Sequence, residues 1–293
     1  MTALIRLYPA DFRREFGDEL AEAHRAATDG AGTAARLREG ADIAGHALRL
    51  RLGLGSAGRA GQRLAAWAPF ALLAVGANAL CWTRLLLQNF RAADGVADLG
   101  PALPLMAAAF LVTALGAALA LTGRWTAGAW TALAGILANV AVEAARSGSG
   151  ALEFAGLFGG LPLLLALVAL LCPPDLRPAP RVRTTGGVVA VLAWTLVLAA
   201  VLTACPLPHP LGALRFVVPV AGGLILAGRA SLARLRTAPA VLLAGLPLLA
   251  IGVLNGALGL FPLAPLFGGL LLAAAAVSLH RRRTGGRNPL TGA

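Results

Sequence analysis

Four polar side chains stand out within the apolar stretches of the chain or at their ends: Arg84, Asn139, Glu143 and Arg215. Ionisable groups at membrane depth are costly, so they are the first place to look for function. Asn139 and Glu143 are one helical turn apart. A Glu143–Arg84 or Glu143–Arg215 pair would neutralise both charges inside the membrane. Pairing of Glu143 with Arg146 would instead place the carboxylate at the headgroup boundary, as structure. Asn78 and Asn255 read as hydrogen bonders between helices rather than as ligand contacts.

The residues do not assemble into a catalytic pattern. An intramembrane protease needs paired aspartates, a His-Glu-x-x-His zinc site, or a serine with a histidine base. No aspartate falls in an apolar stretch, and Arg146-Ser-Gly-Ser-Gly150 matches a Gly-x-Ser-Gly site only superficially. His24, His46, His209 and His280 are scattered. Cys81, Cys172 and Cys205 form neither a CxxC nor a metal spacing and read as small packing residues. A P-loop is absent, so ATP-driven work would need a separate ATPase. The expectation is a protein that is not an enzyme, with no cofactor and no metal.

The elements that position these residues are spans. The chain of 293 residues is 58% hydrophobic and 13% charged, far too little charge to cover a soluble domain. The net charge of +12 is not one basic face, which argues against direct nucleic-acid binding. Every basic residue other than histidine is arginine. With abundant Ala and Gly, this is the composition of a high-GC, bacterial genome. The first long apolar run starts at Leu64, behind a charged segment unlike a signal-peptide n-region.

A span takes about 20 apolar residues. The segments 64–87, 101–122, 125–145, 154–172, 186–205, 211–228, 238–260 and 261–279 predict an all-α polytopic membrane protein with about eight transmembrane helices. A basic tail, 280–293, follows. The sixth segment is weakest, because Arg215 and Arg229 crowd it and Arg215 must snorkel outward. Prolines in Phe261-Pro262-Leu263-Ala264-Pro265 break the last apolar stretch into a hairpin. With the N-terminus inside, Arg124, Arg177, Arg183, Arg229, Arg234, Arg236 and Arg281–Arg283 all fall on the cytoplasmic side. Arg84, Arg91, Arg146 and Arg215 fall outside, as the positive-inside rule asks. The expected location is the bacterial inner membrane, with both termini cytoplasmic and anionic lipid at the arginine-rich inner loops.

Leu119–Arg124 and Leu224–Arg229, Leu133–Gly135 and Leu243–Gly245, and Leu157–Gly160 and Leu266–Gly269 resemble one another in order. They suggest a 4+4 parallel repeat or chance matching. Gly156, Gly159, Gly160, Gly268 and Gly269 are candidate helix contacts.

Residues 1–63 predict a cytoplasmic helical prefix. One helix runs from about Pro9 to Thr28, with Phe12, Phe16 and Leu20 on one face. Asp29–Gly32 turn, and a second helix spans about Thr33 to Leu52 with Leu37, Ala41, Ala44 and Leu48 as its stripe. Two short helices bury little, so Leu7, Tyr8, Phe12, Phe16 and Leu20 are candidate docking residues. The partner would be a second copy, the membrane or a cytosolic protein.

Leu7-Tyr8-Pro9, Phe12-Arg13 and Gly17-Asp18-Glu19-Leu20 resemble, in order, the opening of the permease prefix domain. The resemblance covers about 50 residues. That prefix precedes ABC-type permeases and smaller multi-span proteins, and is similar to helical sensor modules encoded beside PadR-type repressors. It implies either a membrane-embedded sensor contacting a cytosolic regulator, or a permease subunit served by an ATPase. The large extracytoplasmic domain of such permeases has no counterpart here, where the longest outer loop is about 88–100.

Overall fold

The computed structural model describes residues 3–56, 58–92, 101–147, 159–178, 182–204, 214–257 and 263–285. All secondary structure among them is helical, in ten α-helices: α1 Ala10–Thr28, α2 Thr33–Arg51, α3 Arg59–Ala92, α4 Ala102–Leu121, α5 Trp125–Ser147, α6 Gly160–Leu170, α7 Thr185–Ala204, α8 Leu214–Leu232, α9 Ala238–Ala257 and α10 Leu263–Gly285. The chain divides into two compact units, Met1–Leu64 with Leu171–Leu176, and Ala65–Leu170 with Arg177–Ala293.

Five helices are long and apolar enough to cross a membrane: α3, α4, α5, α7 and α9. They indicate a membrane location. Their outward faces agree: Trp194 on α7 is 71% exposed and Trp130 on α5 is 58% exposed. Water would not tolerate such a surface, whereas lipid does. The other three expected spans differ. In α6 the described helix has 11 residues, about 17 Å of rise, and expected span positions 154–158 lie outside the described residues. In α10 the apolar part is shorter than a full crossing. In α8, Gly228 adopts φ 77° and interrupts the helix just before Arg229. The proline break expected at 261–265 falls partly outside the described residues, though α9 and α10 are separate helices that pack together.

The larger unit is built around α3. Ala68, Ala71, Leu72, Ala74 and Val75 are all but sealed. Phe70, Leu73 and Val75 share one core with Leu121, Ile136, Leu165, Phe216 and Ile251. A helix apolar on every side belongs in the middle of such a bundle. Neighbours run antiparallel to it: Trp82 stacks on Phe110 at 6.0 Å, while Gly76 faces Ala117.

The most extensive helix pair is α4 with α5. Three glycines explain it. A Cβ on Gly116 would strike the Ala132 main chain, one on Gly128 the Ala120 main chain, and one on Gly135 the Thr113 main chain. The two backbones therefore touch, held by dispersion over a stripe of small residues. The glycines expected to do this lie elsewhere. Gly159 is close to Val140, but Gly160, Gly268 and Gly269 have nothing within 4 Å of an added Cβ, and Gly156 is outside the described residues. The suspected repeat shares one local feature: Gly123 and Gly228, each before an arginine, both have positive φ.

The smaller unit holds a 3-10 turn, Ala3–Leu7, against α1 and α2. Its core is Tyr8, Ile43 and Ala47, flanked by Leu4, Phe12, Leu20 and Leu50. The buried stripe of α2 thus runs through Ile43 and Ala47, and Leu48 is exposed. The turn at Ala3–Leu7 causes this, because it presents Tyr8 to that side of α2.

Candidate functional site

Within the smaller unit the expected docking residues separate. Tyr8 is buried, with its ring stacked on Phe12 at 5.2 Å, and Phe12 in turn meets Phe16 at 5.0 Å. The Tyr8 hydroxyl lies 3.0 Å from His46 Nδ1. Phe12 and Leu20 are half-buried against this core. Leu7 and Phe16 stay exposed, as do Leu48 and Leu52. Tyr8 is therefore an internal packing residue and leaves the docking face. The signal missed in the sequence is His46, one residue before Ala47, which gives the buried phenol its partner.

Contact with Tyr8 partly desolvates the His46 ring, which is otherwise on the exposed side of α2, and with Arg49 this lowers its pKa below the ordinary imidazole value. Burial raises that of Tyr8; Arg49 opposes and Glu39 assists. Because the folded pKa of His46 lies below the unfolded one, acid protonates the unfolded state first. The stabilisation is complete above 6.5 and is lost as pH falls through the lower folded value. The unit should thus loosen in mild acid. Tyr8 is the single tyrosine, so a ring-labelled tyrosine NMR signal reports on it alone. That signal should lose dispersion on acidification in the intact protein and hold steady in His46→Gln. Equal acid sensitivity in both would sink this reading.

In the larger unit, antiparallel packing places Arg84, Glu143 and Arg215, but not Asn139, toward one end of the bundle. Glu143 is 1% exposed, and Arg146 grips it through Nη2 at 2.6 Å and Nε at 3.1 Å. Arg215, expected to snorkel, is 9% exposed. Its Nε donates to Leu202 O at 3.2 Å, among the terminal carbonyls of α7, where a cation is favoured. Arg84 on α3 is close enough to Arg215 for the two charges to interact.

Deeper in the unit, Asn255 Nδ2 donates to Asn78 Oδ1 at 3.1 Å and to Ile251 O at 3.0 Å, tying α9 to α3. Asn139 Oδ1 is buried without a hydrogen-bond partner among the described residues. With Asn78 and Thr113 it lines a cavity of about 30 Å³. Trp125 Nε1 donates to Ala169 O at 2.9 Å, linking α5 to α6. The arrangement offers hydrogen bonds and fixed charge, and among the described residues of this unit it groups no nucleophile with a base. No protein-family model matches the chain, and no curated protein or solved structure matches it either.

Proposed function

We propose that this chain is a membrane-embedded regulatory protein whose N-terminal helical unit docks a cytosolic protein. The observation that carries the reading is the apolar surface of that unit. Its buried core is small, Ile5, Tyr8, Ile43 and Ala47, while Leu7, Phe16, Leu48 and Leu52 remain exposed. So small a unit gains stability by burying such groups on a partner. The similarity of Leu7–Leu20 to the permease prefix supports the same reading, in its sensor form. The permease alternative is less well supported, because α4 ends at Leu121 and α5 begins at Trp125. That leaves no room for a helix to engage an ATPase there.

Quantitative crosslinking of intact protein at matched membrane levels tests the docking. Phe16→Asp should remove the partner crosslink while membrane insertion is unchanged, since each span inserts on its own hydrophobicity. Unchanged crosslinking would show Phe16 to be a surface residue without a partner.

The reading includes eight crossings of a bacterial inner membrane with both termini in the cytoplasm. Arginine placement supports it. Reporter fusions after Arg124, Arg183, Arg236 and Arg287 should read cytoplasmic, and those after Asp94, Gly148 and Pro208 should read external. An external signal at Arg287 would exclude eight spans.

A further inference from the structure

A crevice of about 330 Å³ lies among α3, α4, α7 and α8, a volume typical of ligand sites. Its walls include Leu73, Gly76 and Leu80 of α3, Ala117 of α4, Trp194 of α7 and Gly222 of α8. The polar side chain in that wall is Thr195, whose hydroxyl is already bonded to Val191 O at 2.8 Å. The crevice therefore offers a ligand hydrocarbon contact. Trp194 and Ile225, both lining it and both outward-facing, mark the side on which it opens toward lipid.

The register of two walls leads to charge. On α3, Leu73, Ala77, Leu80 and Arg84 follow one face at spacings of three and four residues. On α8, Arg215, Pro219, Gly222 and Leu226 do the same. Each arginine is about 6 Å along its helix beyond the last lining residue. The helices are antiparallel, so both arginines stand at the same mouth of the crevice, where their charges interact. Arg84 makes no hydrogen bond or ion pair among the described residues. Among the described residues Glu143 also lies toward this end, held by Arg146. Two like charges this close favour an anion between them. Guanidinium groups suit phosphate oxygens in particular.

We propose that the crevice holds one acyl chain of an anionic phospholipid, with its phosphate on Arg84 and Arg215. Apolar walls select the chain, and the arginine pair selects the head. A Cβ at Gly222 would meet nothing within 4 Å, so a large side chain there would extend into the open crevice.

The intact protein in phosphatidylcholine vesicles, with a trace of phosphatidylglycerol carrying a photoreactive group on its acyl chain, tests this. Crosslinks should map to Leu72–Leu80 and Pro219–Leu226. Excess unlabelled phosphatidylglycerol should displace them, whereas excess phosphatidylcholine or inorganic phosphate should not. Arg84→Gln should raise the concentration needed for displacement about tenfold, the loss of one charge-assisted hydrogen bond; Arg84→Lys should restore most of it. Gly222→Leu should remove the crevice crosslinks and leave those elsewhere on the bundle. Equal displacement by phosphatidylcholine, or unlabelled crevice peptides in the wild type, would overturn the proposal. So would labelling that disappears as protein density in the vesicle rises, since a second copy would then be the occupant. The wild-type competition decides the matter even if a variant folds poorly.

Discussion

Gly128→Leu should separate α4 from α5 and lower the stability of the bundle by roughly 3 kcal/mol or more, as overpacking of a tight contact does. The reason is geometric. At Gly128 the obstacle is main chain, Ala120 on one side and the Gly116 carbonyl on the other. Main chain cannot rotate away as a side chain can. The helices would have to move apart along the whole stripe that Gly116, Gly128 and Gly135 share, losing dispersion contacts that lipid replaces only in part. Gly268→Leu is the matched control, with the same change of residue in an apolar helix and nothing within 4 Å. Unfolding in mixed micelles, followed by helicity, should show a large loss for Gly128→Leu and little change for Gly268→Leu. Similar losses for the two would mean that α4 and α5 are not in backbone contact.

The same comparison shows what the sequence could and could not reveal. Helix positions were legible because hydropathy marks where a helix meets hydrocarbon. The starts of α4 and α5, and the limits of α1 and α2, follow from it and from the Asp29–Gly32 turn. Which way each helix faces was not legible. In α4, apolar residues surround the axis, so no stripe points to the partner, and 36 glycines offer many equivalent contacts. Nothing in the sequence sets Gly116 and Gly128 apart from Gly160 and Gly268; the fold does. In the prefix the stripe was legible, but the role of Tyr8 was not. The turn at Ala3–Leu7 carries the phenol into the core beside His46, and nothing in helical periodicity foretells a residue that precedes the helix. The Asn78–Asn255 bond was legible by residue type, since an amide in a span seeks another polar group. The proximity of Arg84 to Arg215 was not, because simple charge matching does not bring two arginines together.

Charge also governs the second large effect. Arg146→Ala should destabilise the bundle by about 3 kcal/mol, and Glu143→Gln by distinctly less. Glu143 is 1% exposed with Arg146 in place. Arg146 is far wetter: its side chain is 55% exposed against 2% for that of Glu143. Removing the arginine takes two charge-assisted bonds from a buried carboxylate, and breaking one side of a buried pair costs roughly 3–5 kcal/mol. The lower end applies, because the arginine side of the pair is hydrated. Removing the charge of Glu143 instead leaves an arginine that water can solvate. The double variant, Arg146→Ala with Glu143→Gln, should therefore recover much of what Arg146→Ala alone loses. That asymmetry distinguishes a buried carboxylate from a pair at the headgroup boundary, where either change would shift stability by less than about 1 kcal/mol. A double-mutant cycle on unfolding in mixed micelles measures it. Equal, small effects for the two single changes would place Glu143 at the boundary, and water rather than Arg146 would then be its main solvent.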